Sequence, residues 1–522
     1  MIILSGLILI VTVTLKMNQA YANNLNISNV SLKNQNASAG TILVEFDISW
    51  NNSWRNAINH DAAWVFVKYK DSDGDWNHAT LKTAGTNPTG FSRGATGTTI
   101  SIDVPDLTGS SKVGCWIKRT NSGYGTVSTT DIQLVWDYNT DGLSETDTID
   151  EVQVIGYEMV YIPQGDFELG DVDGFNGEST NALHITDSVP EGQATISETI
   201  ETDITVDTNG WDDSTIEDTW LGIDGDGGID WTDDDVPDNA NFPTGWKDFY
   251  IMKYEITQGQ YSKFLNLVPA TQQSARYPSG YYGTNRYTID TDYSVDRPDR
   301  ANNWMDWMDL AAFCDWSALR PMTGLELEKA GRGPTAAVRQ EYAWGTTNIN
   351  GALADEISAS PEDGTETITD ADANACYGNI TFTSGDSGLG PLRVGIFAES
   401  ATNRSTSGAS YYGVMELSGN VWEIVVTVGA DSGRNYSGEG DGVITSTVTC
   451  AGADESTWPG YWTLFDELPC QAVVAAGGSG RRGGPYAGTT NLRLSDRAAG
   501  AKPMSSRNQT QGGRCVRSYT GY

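Results

Sequence analysis

Histidine is almost absent: His60, His78 and His184 are all that 522 residues contain, and no two of them have HxxxH or HExxH spacing. A histidine-based metal centre is thereby excluded. Cations are scarce too, 32 Lys and Arg against 69 Asp and Glu. The formal charge of −37 repels a phosphate backbone over most of the surface, so nucleic acid is not an expected partner. Long apolar runs are missing apart from residues 2–15, IILSGLILIVTVTL, which are too few to span a bilayer comfortably. Ala20-Tyr21-Ala22 follows with the small-residue spacing of a cleavage site, so residues 1–22 read as a signal peptide, although no Lys or Arg precedes the apolar core. An uncleaved anchor is the alternative. After cleavage no membrane insertion is expected. The mature chain is expected to be secreted, extracellular or on the cell surface, or periplasmic if it is exported no further.

What is present is the composition of a folded protein: 38% hydrophobic residues, 10% aromatic and 17 Trp, at a length suggesting about three domains. Residues 23–150 alternate apolar and polar positions in short runs, ILVEFDISW (42–50), AWVFVKYK (63–70), TTISIDVPDL (98–107), VGCWIKR (113–119) and TDIQLVWDY (130–138), separated by turn clusters such as DSDGDW. This spacing predicts a β-sandwich of immunoglobulin or fibronectin kind, with binding or spacing as its role. Asp137, Asn139, Asp141 and Gly142 imitate the start of a calcium loop, but Thr148 stands where a bidentate Glu belongs, so a polar turn is the plainer reading.

From residue 156 to 522 the text is irregular and rich in Gly, Trp and Asn, with two clear helical segments. In the first, Thr257 is the expected N-cap and Tyr261, Phe264 and Leu265 share a face. In the second, Leu310, Phe313, Cys314 and Leu319 form an apolar stripe ended by Pro321, after which Thr323 and Glu326 form a capping box for the next helix. Insertions are expected at about 171–246, including the acidic DGDGGIDWTDDDVPD (224–238), and at 432–470, where pairing of Cys450 with Cys470 would close a Gly/Ser/Thr-rich loop.

Seven landmarks occur in order between residues 159 and 517: MVYIPQGDFELGD (159–171), DFYIMKYEITQGQYSKFLN (248–266), AAFCDWSALRPMTGLELEKAGRG (311–333), YAWG (342–345), YYGVMELSGNVWEI (411–424), GGS (477–479) and GGRCVR (512–517). Together they resemble the formylglycine-generating enzyme family, the sulfatase-modifying-factor domain, a variant of the C-type lectin fold. The fold class expected is therefore α+β: an all-β sandwich, then a domain with two main helices and much irregular structure. The resemblance implies structural calcium at Asn420, Val421 and Glu423, and at Asn374 and Asp386 if the second site is kept. The competing reading is that Asn420 caps a turn and Glu423 pairs with an Arg. It also implies a disulfide between Cys314 and Cys515, and the joint loss of a second bridge, with Gly331 at one end and residues 492–494 spanning the other.

In the enzymes of that family two cysteines shortly after GGS hold copper(I), chemistry that needs soft thiolates. Arg482 and Ala487 stand in those places here, so no copper is expected and the family's oxidation of a substrate cysteine is not available. Between residues 479 and 517 lie eight cations and one acid, Asp496. Buried pairs involving Arg493, Asp496, Arg497 and Arg514 are expected to absorb about half of them. The rest, with Arg481, Arg482, Tyr486, Lys502 and Arg507, are expected to form a face for an acidic glycan, an extracellular protein or other copies of the chain. The leading expectation is an extracellular binding or assembly module rather than an enzyme. An oxidoreductase acting on a partner protein and a diversified lectin-type display protein are the alternatives.

Overall fold

The computed structural model describes residues 24–105, 112–171, 193–196, 241–398, 401, 403–427, 431–447, 450–463, 471–497, 499–500 and 502–519. The expected signal peptide, most of the acidic insertion and Cys470 lie outside them. The chain forms two compact units, one of Asn24–Arg55 and Ala62–Tyr157, the other of Asn56–Asp61 and Glu158–Tyr522.

In the first unit, alternating residues send one side of each strand inward. Strands Asn26–Asn36, Thr41–Arg55, Gly123–Trp136 and Ser92–Gly97 lie in that order in one antiparallel sheet. Asp61–Asp71, Cys115–Arg119, Ile100–Val104 and Gly85–Thr86 run side by side in another. Val44, Phe46, Ile48 and Trp50 from the first share a core with Val65, Val67, Ile102 and Ile117 from the second, as two apolar inner faces require. The free thiol of Cys115 is buried there, as a small hydrophobe. The calcium-loop look-alike is a polar turn: Asp137 pairs with Lys82 at 2.7 Å, and Asp141 accepts from Thr80 N and Trp136 Nε1.

In the second unit, Phe249–Met252 pairs on one side with Met159 to Ile162 and on the other with Cys515–Ser518, which in turn pairs with Arg320–Pro321. His60 joins this unit by stacking on Tyr161 and sharing a hydrogen bond with Tyr250 at 2.8 Å. A second sheet places Trp422–Val426 between Ser479–Arg482 and Gln511–Gly512. Helix α1 (Gln258–Asn266) starts at the expected Thr257, whose capping box is completed by Gln260. Helix α2 (Ala270–Arg276) follows Pro269 and was not expected; its N-cap has no side-chain hydrogen bond, so no local signal announces it. Helix α3 (Trp307–Trp316) stops before Pro321, because Ala318 takes a left-handed conformation at φ +55°. Pro321 instead sits in a strand, and Thr323 and Glu326 cap helix α4 (Gly324–Arg332) as expected.

Cys314 and Cys515 are joined, closing 201 residues of sequence between α3 and the last strand. On the chain-entropy account such a loop contributes roughly 5 kcal/mol. Cys450 is also held in a disulfide whose partner lies outside the described residues. A Cβ added to Gly331 would lie 2.3 Å from Leu494 Cδ1, so the leucine side chain fills the space at that glycine. Among the described residues no helix is long and apolar enough to cross a membrane.

Candidate functional site

The strand Ser479–Arg482 alternates its side chains, so Arg481 and Arg482 face opposite ways. Arg482 is directed inward and buried. Its guanidinium donates to Asp496 O at 2.7 Å, Leu494 O at 2.6 Å and Glu328 at 3.2 Å. Glu328, wholly buried on α4, also accepts from Arg332 at 3.0 Å, from Arg497 and from Gly170 N. Burial pushes its carboxyl up, but Arg497, Arg332 and Arg482 outweigh burial and hold it below the usual carboxylate range. Arg497 is pulled down to about 9 by burial and by neighbouring Arg482. Ala487 packs beside the apolar cluster containing Ile357, Phe382 and Tyr486.

This placement corrects the expected basic face. Arg482 and Tyr486 are interior; the Tyr486 hydroxyl donates to Gln509 O. Arg507 binds Asp309 at 2.6 Å, Arg514 binds Glu423, and Arg517 lies 4.0 Å from Glu439. Arg493, expected in a buried pair, is partly exposed. What remains of the expected face partly toward solvent and outside an ion pair is Arg481, half-buried, and Lys502, exposed, whereas the partly exposed Arg507 is held by Asp309.

The residues expected at the first calcium site do come together, but with different partners. Asn420, in a left-handed turn at φ +61°, receives Leu392 N on its oxygen at 2.9 Å and donates its amide to Glu255 at 2.5 Å, while Val421 N donates to the other Glu255 oxygen. Glu423 accepts from Arg514 Nε at 2.7 Å. Glu416, also left-handed, accepts from Gly395 N at 2.7 Å. One buried oxygen each on Glu416 and Glu423, Oε2, accepts no hydrogen bond. Burial, then Glu423 and Glu416, push the Glu255 carboxyl well up; burial raises Glu416 to about 7 and lifts Glu423 against the pull of Arg514. Three buried carboxyls thus face Arg514, with Arg393 also acting on Glu416. Hard oxygens of this kind suit calcium, which the family resemblance implies here, while the Glu423–Arg514 pair is the competing arrangement set out above. Sequence reading passed over Glu416 although it stands inside the YYGVMELSGNVWEI landmark.

The second expected set stands in separate networks. Asn374 accepts from Asn350 N and donates to Ser405 O. Asp386 is bound by Arg297 and Arg300, which hold its carboxyl down to about 2 against the upward push of burial. Its charge is already answered by cations.

A third group was not anticipated. Carboxylate oxygens of Asp315, at the end of α3, and of Asp441 and Asp454 lie within 4.8 Å of one another. Asp315 accepts from the backbone N–H of both partners, at 3.2 and 3.0 Å. Burial, then Asp454 and Asp441, push Asp315 well up; burial and Asp441 carry Asp454 to about 6 and Glu455 to about 8. Such a group shares protons or takes a hard divalent cation. Asp315 lies more than a hundred residues from Asp441 and Asp454 in sequence, and no motif links them.

A family model, the sulfatase-modifying factor enzyme 1-like domain, matches residues 224–519, more than half of the chain. No curated protein matches it.

Proposed function

Since the chain belongs to the family of sulfatase-modifying factor enzyme 1-like domains, the formylglycine-generating enzyme family, we propose that it keeps the family's scaffold, a C-type lectin variant, as a secreted binding or assembly module without copper chemistry. The observation that carries this reading is the setting of Arg482. It occupies the position of a copper-binding thiolate, yet its guanidinium is buried and committed to Glu328, Leu494 O and Asp496 O. A guanidinium stays protonated and offers no soft donor, and Ala487 offers none either. The lost second bridge supports the same history: Leu494 packs onto Gly331, so both ends were replaced compatibly. The retained Cys314–Cys515 bridge suits an oxidising compartment. Calcium, held by Glu416 and Glu423, would supply the charge that three buried carboxyls lack.

The test is anaerobic titration with copper(I) in competition with a chelator. Copper is expected to stay with the chelator at every ratio. Uptake of one equivalent of copper from the chelator would overturn the reading.

A further inference from the structure

Arg481 and Arg493 are the arginines of the basic segment with no carboxylate at ion-pair distance among the described residues, and of the two Arg481 lies against an aromatic ring. Its register partner is Ile424, which puts its side chain on the same face as Trp422, one diagonal step along the strand. The guanidinium lies 4.5 Å from the Trp422 ring centre, a cation–π contact that restrains it. Nε–H donates to no partner, and among the described residues neither Arg481 nor Lys502 has a carboxylate within ion-pair distance. Arg482, Arg497, Arg507, Arg514 and Arg517 all do. Lys502 is held near it, because Ala499 O accepts from both Arg481 N and Lys502 N, at 2.9 and 3.3 Å.

The geometry points to an anion-recognition site at Arg481 and Lys502, with Trp422 as its base, that takes the carboxylate of an acidic glycan; this rests on the binding-module reading above. A guanidinium fork matches a carboxylate bidentately, and the stacked ring has already restricted it, so little freedom is lost on binding. Lys502 adds a mobile second cation for the same group or the next one along a repeating polymer. An extended acidic peptide fits less well. The strand Ser479–Arg482 is at the edge of its sheet, but its N–H groups are spent: Ser479 N on Ala476 O, Arg481 N on Ala499 O, and Gly480 and Arg482 paired with Val425 and Glu423. No free donors are left for strand addition.

The experiment measures binding of the purified full chain to polygalacturonate, with poly-glutamate and neutral methyl-esterified pectin in parallel, at about 0.1 M and 1 M salt. Polygalacturonate is expected to bind, to be released at high salt as the screening length falls from about 10 Å to about 3 Å, and to lose about tenfold or more in affinity with Arg481→Ala. Arg481→Lys, which keeps charge but not the fork, is expected to recover only part, and Lys502→Ala to lose a few-fold. Thermal melts of each variant separate lost binding from lost folding. Absence of polygalacturonate binding, undiminished binding by well-folded Arg481→Ala, or equal binding of poly-glutamate would overturn the site. None of these outcomes touches the copper titration, whose failure alone would overturn the reading beneath it.

Discussion

Replacing Glu328 by glutamine removes one negative charge and leaves the shape of the site intact. Its carboxylate is the common acceptor of Arg332, Arg482 and Arg497, all buried. Without it three guanidinium cations remain, and Glu341, 2.6 Å from Arg332, is the acid still paired with them. Gln retains an oxygen for Gly170 N, so the loss isolates charge rather than hydrogen bonding. Breaking a buried ion network from one side costs about 3–5 kcal/mol, because it strands desolvated charge. Arg497→Met should cost less, since burial and Arg482 already disfavour that cation. Urea unfolding followed by tryptophan fluorescence and near-ultraviolet circular dichroism measures both, with the loss confined to the transition of the second unit. A Glu328→Gln cost below about 1 kcal/mol, or one no larger than that of Arg497→Met, would refute the claim that this network replaced the metal chemistry.

Other outcomes follow from the carboxyl clusters and the glycine contact. Asp454 and Glu455 have folded values of about 6 and 8, above their unfolded ones, so the stability they lend is full below about pH 4 and is lost progressively as pH rises from there, up to about 6 for Asp454 and about 8 for Glu455. Melting temperature should therefore fall over that window, by the equivalent of roughly 2 kcal/mol after allowance for solvent, and Asp454→Asn should flatten the slope. Calcium should raise the melting temperature, by about 2.7 kcal/mol equivalent at a hundred times its dissociation constant. Glu416→Gln and Glu423→Gln should each weaken that response, while Asn420→Ala should lower stability and leave the response in place. Gly331→Ala should cost about 1–3 kcal/mol through its collision with Leu494, and a double-mutant cycle with Leu494→Ala should recover part of it.

Local features were legible in the sequence because their causes are local. The N-cap at Thr257 and the capping box at Thr323 involve residues within one turn, and the inward alternation of Val44, Phe46 and Ile48 writes a strand directly. α2 was hidden because nothing caps it, and the end of α3 because an alanine, not a glycine, turns left-handed at position 318. Glu328 meets Arg482 and Arg497, and Asp315 meets Asp441 and Asp454, more than a hundred residues away in sequence, so these roles emerge only on folding. Arg482 and Tyr486 were misplaced for a related reason. A run of cations reads as a solvated face, whereas the acids that draw them inward, Glu328, Asp309, Glu423 and Glu439, are spread over more than a hundred residues.

The central claim, a family scaffold whose copper chemistry has been replaced by a buried arginine network, is tested most directly by incubating the chain with copper(I), oxygen and a cysteine-containing sulfatase-type peptide, then weighing the peptide. The account predicts that the cysteine mass is unchanged over many hours. Appearance of the aldehyde product above a no-protein control would contradict it.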